Sequence, residues 1–96
     1  MAKSRRERSF EDVRGAAERM LGALARRAGD EGDEFELGEL VGMREVLEEA
    51  IVRTIAMHLE RGKSWTSIGD SLGMRRQSAY ERYAGRVEQL RAKDAA

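Results

Sequence analysis

Cysteine and proline are absent from this chain, and histidine occurs once. Without cysteine there is no disulfide framework and no thiolate metal site. With His58 alone, metal clusters and histidine-based catalysis lack material, so no metal ligand, cofactor or catalytic residue is expected. No nucleophile–base pair, phosphate loop or paired carboxylate emerges either, which argues against an enzyme. Aromatic residues are few: one Trp, two Tyr and two Phe. No apolar run nears the ~20 residues that a membrane span needs. The charged start MAKSRRERSFEDV has no apolar segment behind it and does not read as a secretory signal. The expectation is a cytoplasmic, nucleoid-associated protein with no membrane role.

What the chain has in quantity is charge, in blocks. Its 96 residues carry 18 basic and 18 acidic side chains, net zero. Residues 1–29 hold eight basic against four acidic, a balance of +4. Residues 30–60 hold two against ten, a balance of −8, and residues 61–96 return to eight against four. Basic ends around an acidic middle suggest an anionic partner met by the ends. Solvated charge blocks on helix faces would leave the same pattern.

The length suits one small domain with one modest core. Apolar spacing reads as helix throughout. The reading is an all-α fold: a small helical domain over 10–96 with a long helix preceding a C-terminal helix-turn-helix, behind a basic N-terminal arm over 1–9. From Phe10, helical spacing runs through Val13, Ala17, Met20, Leu21, Leu24 and Ala28, with Ser9 as N-cap. AGDEGDEFE reads as a loop that lacks the ligand order of a calcium site. A long helix follows from about Leu37 to Arg61. Its stripe is Leu40, Met43, Leu47, Ile51, Ile55 and Leu59, widened by Val41, Val46, Ala50 and Val52 toward burial on more than one side. His58 beside that stripe reads as a partly buried helix-end histidine. Gly62 supplies a helix stop.

Residues 64–83, SWTSIGDSLGMRRQSAYERY, carry the functional signal. Ser64 caps a short helix, Trp65 to Leu72, with Ile68 and Leu72 inward. Gly69 is small where a second helix must cross closely, and Gly73 can take the positive φ of a turn. Met74 plugs the space beneath. A last helix starts near Arg76 with Ala79, Tyr83, Val87 and Leu90 on its inner face, weakened by Gly85. Two short helices around a glycine turn are the helix-turn-helix arrangement.

The stretch resembles the small helix-turn-helix proteins common in actinobacteria and their phages and plasmids, whose pattern runs roughly SWxxIGxxLGxSRQAAxxRF. Ser64, Trp65, Ile68, Gly69, Leu72, Gly73, Arg76, Gln77, Ala79 and Arg82 match, and Tyr83 stands where an aromatic is expected. The resemblance covers about a fifth of the chain, and the preceding long helix ending in ERG is also typical. It implies double-stranded DNA binding, with the second helix of the pair in the major groove. Arg75 departs from the pattern, replacing the serine or threonine that would cap the helix. Loss of a cap costs about 0.5–2 kcal/mol, and a cation at the positive end of a helix adds a dipole mismatch of about 0.3–1 kcal/mol. A DNA phosphate or a guanine edge would relieve both; side chains extending into water would make the mismatch small.

Geometry then assigns roles. Arg76, Gln77, Tyr80 and Glu81 lie where a recognition helix reaches base edges. Lys63, Ser64, Thr66, Arg75 and Arg82 are placed for phosphates. Trp65 packs on the domain. The first helix either folds back on its own chain or forms the interface of a homodimer, the usual state of small bacterial regulators. The KSRRER arm can reach the minor groove or flanking phosphates. The leading expectation is a sequence-specific transcriptional regulator, a repressor. Two alternatives stand beside it: a promoter-recognition module resembling the C-terminal domain of a sigma factor, working beside RNA polymerase, and a protein-interaction module such as an antitoxin or adaptor.

Overall fold

The computed structural model describes residues 2–96, which form four helices with no strand among them. The helices are α1 (Arg5–Asp30), α2 (Glu34–Glu60), α3 (Trp65–Leu72) and α4 (Arg76–Ala95). The chain divides into two compact units, Met1–Met43 and Arg44–Ala96, and the division falls inside α2.

In the first unit, α1 starts earlier than the apolar spacing indicates. Ser4, not Ser9, is its cap. The Ser4 hydroxyl accepts from the Glu7 amide at 3.1 Å, and the Glu7 carboxylate accepts from the Ser4 amide at 3.2 Å. This reciprocal capping box satisfies two donors that a helix start leaves open. It draws most of the expected basic arm into the helix, since Arg5, Arg6 and Arg8 are helical. The start of α2 also moves, from about Leu37 to Glu34. Asp33 accepts from the Phe35 amide at 2.8 Å, while the Asp33 amide donates to Glu36 at 2.7 Å. Accepting the Phe35 amide, above all, holds the Asp33 carboxyl below its ordinary value of 3.8. No residue of α1 is buried.

The second unit has the core. Val52, Ile55 and Ala56 from α2, Ile68 from α3, and Tyr83 and Val87 from α4 are buried together. Ile51, Leu59, Trp65, Leu72, Met74 and Leu90 pack around them, partly buried. Burying each large aliphatic side chain contributes about 1.5–3 kcal/mol. The stripe of α2 is thus buried over its later turns only. Val41, Met43, Val46 and Leu47 are exposed, against the expectation of burial on more than one side. His58 is exposed as well, correcting its reading as partly buried. Ile55, Ala56 and Leu59 define the inward face, and position 58 falls outside it.

α2 stops at Glu60, one residue before the expected Arg61. Gly62 takes a φ of 87°. Its amide donates to the Leu59 carbonyl at 3.0 Å, and the Lys63 amide donates to the His58 carbonyl at 3.0 Å. These are the two bonds of a Schellman ending, and the left-handed residue they require has no Cβ to clash.

Candidate nucleic-acid interface

Lys63 leads directly into α3, whose cap is Ser64. The Ser64 hydroxyl accepts from the Ser67 amide at 3.1 Å. Gly73 ends α3 with a φ of 68°. There the Gly73 amide donates to Asp70 at 3.2 Å and the Met74 amide to Gly69 at 2.8 Å, so the chain turns back within three residues. The first turn of α4 then lies directly on Gly69. A Cβ added to Gly69 would stand 2.7 Å from the Met74 carbonyl oxygen and 3.3 Å from both the Arg75 carbonyl carbon and the Arg76 nitrogen. Real Cβ atoms do not tolerate the first of these distances. On the other side of the crossing, Ala79 is 0% exposed. Gly69 is the small residue that lets the start of α4 approach α3 so closely.

With Ala79, Tyr83 and Val87 turned inward, the opposite side of α4 is fixed by helical period. Gln77 and Glu81 are one turn apart on it, and the Gln77 side-chain nitrogen donates to the Glu81 carboxylate at 3.0 Å. Tyr80 lies on the flank toward α3. Its ring meets Trp65 edge-on, with centroids 5.4 Å apart and planes at 80°. Trp65 is half-buried against the core, as expected, so Tyr80 is held in place while half of it stays in solvent.

Arg82 lies on the other flank. Its guanidinium is 3.9 Å from the Glu48 carboxylate of α2, and Arg86 reaches the same oxygen at 3.2 Å. Arg82 also lies over the Tyr83 ring, 5.3 Å from its centroid. Burial, then the neighbouring Glu48 carboxylate, push the Tyr83 phenol above its ordinary value of 10.0. The exposed Glu48 pairs are individually weak, but they tie both arginines toward α2.

The start of α4 differs from the other helix starts. Arg75 occupies the cap position with extended backbone, φ −69° and ψ 153°, and its side chain caps nothing. The first turn contains no acid. The first intrahelical bond runs from the Ala79 amide to the Arg75 carbonyl at 3.0 Å. The amides of Arg76, Gln77 and Ser78 therefore precede the hydrogen-bonded ladder, with no side-chain acceptor from the cap. By contrast Ser4, Asp33 and Ser64 each accept an amide at the start of their helices. Two arginines thus stand at the one uncapped helix start among the described residues.

All nine residues singled out from the sequence are exposed: Lys63, Ser64, Thr66, Arg75, Arg76, Gln77, Tyr80, Glu81 and Arg82. The structure groups Arg75, Arg76, Gln77, Tyr80 and Glu81 on the first two turns of α4, with Ser64 and Thr66 at the start of α3. It separates Arg82, which leans to Glu48. Two participants escaped the sequence reading. Ser78 is exposed beside Gln77, which follows once Ala79 is known to be the inward residue. Glu48 collects Arg82 and Arg86 from positions 34 and 38 residues away, a relation that no local spacing carries. Compared with family models, curated proteins and solved structures, the chain matches none.

Proposed function

We propose that the chain is a sequence-specific double-stranded DNA-binding regulator, acting as a repressor through insertion of α4 in the major groove. The observation that carries this reading is the crossing at Gly69. It sets the uncapped start of α4, with Arg75 and Arg76, directly against α3 with both side chains exposed. Beyond it stand Gln77 and Glu81 in solvent, and Tyr80, half in solvent and braced against Trp65. Arginine suits guanine O6 and N7, glutamine suits adenine, and glutamate can accept from cytosine N4. The phosphate backbone would supply the acceptors and negative charge missing at the helix start. No helix among the described residues is long and apolar enough to cross a membrane. The regulator acts as a homodimer on a two-fold repeated site, with half-sites about 34 Å or a multiple apart.

Mobility-shift titration of genomic fragments at several salt concentrations tests the reading. Affinity should fall steeply with salt, with a log–log slope of about −0.9 per phosphate contacted. Arg76→Ala and Gln77→Ala should each cost about 1–3 kcal/mol on the selected site and relax base preference. Lys63→Ala should weaken selected and random DNA alike and reduce the slope by about one unit. Absence of retardation even at low salt would overturn the DNA-binding reading.

A further inference from the structure

The unit Met1–Met43 leaves most of its large apolar residues in solvent. Phe10, Val13, Met20, Leu21 and Leu24 follow three- and four-residue spacings down one stripe of α1, and Val13 and Met20 are each 67% exposed. Farther along, Leu24 and Ala28 of α1 share with Leu40 and Met43 of α2 an open groove of about 230 Å³, rimmed by Arg27, Glu36 and Glu39. Nine large apolar side chains of this unit are exposed, counting Phe35, Leu37 and Val41.

The charges beside this seam decide what covers it. At the groove itself α1 brings Arg27, and Arg14 lies farther back on the same helix, while Arg19 and Arg26 line a separate hollow with Gly15, Glu18 and Gly22. Residues 34–43 of α2 carry three glutamates and no base. Among the described residues, no ion pair joins those arginines to those glutamates within the chain; Arg14 pairs instead with Glu18. A partner of one charge sign would attract one helix and repel the other. A second copy related by a two-fold axis sets each basic α1 against the other copy's acidic α2, so complementarity is met twice. We propose that this face is covered by a second copy of the chain, with α1 and the first turns of α2 from each copy closing a four-helix interface. The assignment rests on the dimeric reading above and deepens it by naming the surface that dimerises.

Sedimentation equilibrium of the full chain, without DNA, tests it with three variants. Wild type should sediment at twice the chain mass in the micromolar range. Met20→Glu, at a position exposed in the single chain, should shift dissociation toward monomer while circular dichroism shows unchanged helix content. Arg27→Glu and Glu39→Arg should each weaken self-association about tenfold, by setting like charges face to face. An equimolar mixture of those two variants should recover affinity close to wild type, because each reversed helix then meets its opposite. A wild-type dimer indifferent to all three changes, or a mixture as weak as its components, would remove this surface and leave the dimeric regulator standing. A wild-type monomer throughout the range would remove the surface and the dimer together, while mobility shifts judge DNA binding separately.

Discussion

Leu47 and Ile55 belong to one helix and one apolar stripe, yet Leu47 is 61% exposed and Ile55 is 4% exposed. They are eight residues apart, a little over two turns, which sets them about 80° apart within one broad apolar stripe. Ile55 has Ile68, Tyr83 and Val87 gathered in its cluster. Leu47 has no place in it. Periodicity states which side of a helix is apolar. Whether that side is buried depends on what else the chain, or another chain, brings to it.

The sharpest way to break this contrast is to truncate both kinds of residue. Ile55→Ala should cost about 2–5 kcal/mol, since the atoms it removes have packed neighbours that cannot fully collapse. Met20→Ala should change single-chain stability by less than about 0.5 kcal/mol, the ordinary scale for an exposed position. Urea melts at dilutions where the chain is unassociated measure both. Equal costs would mean that the stripe of α1 is already covered within the single chain.

The same division marks what could be read in advance. In the second unit, α3 was legible to the residue, because Ser64 and Gly73 are punctuation at both ends of an eight-residue element. The inner face of α4 was legible too: Ala79, Tyr83 and Val87 repeat every four residues and are buried. Farther toward the N-terminus the competing signals were local. Ser9 looks like a cap with acids behind it, but Ser4 has a glutamate three residues on and forms the complete capping box. The candidate site divides likewise. Exposure of its nine residues follows from the inward set by helical period. The attachment of Arg82 to Glu48 depends on the packing of α4 near α2, which no short-range pattern encodes.

Two glycines sharpen the comparison at the next scale down. Gly69 has the Met74 backbone in the path of any Cβ, whereas Gly85 has nothing within 4 Å. Gly69→Ala must push the start of α4 outward and should cost about 1–3 kcal/mol, as overpacking does. It should also weaken DNA binding, because the displaced residues include Arg75 and Arg76. Gly85→Ala adds only helix propensity at an exposed helical position and should gain up to about 1 kcal/mol. Thermal melts of the two variants should move in opposite directions. A neutral Gly69→Ala would mean that the crossing of α3 and α4 is looser than a 2.7 Å approach allows.

The substitution at Arg75 bears most directly on the DNA reading. Arg75 is at a cap position with no capping bond, where α4 has neither an acceptor from the cap nor an acid in its first turn. Its backbone, φ −69° and ψ 153°, is the extended conformation that a capping serine adopts at Ser4 and Ser64. Arg75→Ser therefore needs no backbone change to present its hydroxyl to the open amides. The new cap should add about 0.5–2 kcal/mol, and removing a cation from the positive end of the helix adds a few tenths more in the same direction. Melting temperature should rise. DNA affinity should fall at the same time, because a serine cannot supply the cationic phosphate contact, and the salt slope should lose up to one unit. Stability and binding thus move apart in a single variant, which neither a purely structural arginine nor a merely solvated one would produce. A variant that is no more stable, or that binds DNA undiminished, would show that the paired arginines at the start of α4 do not serve an anion.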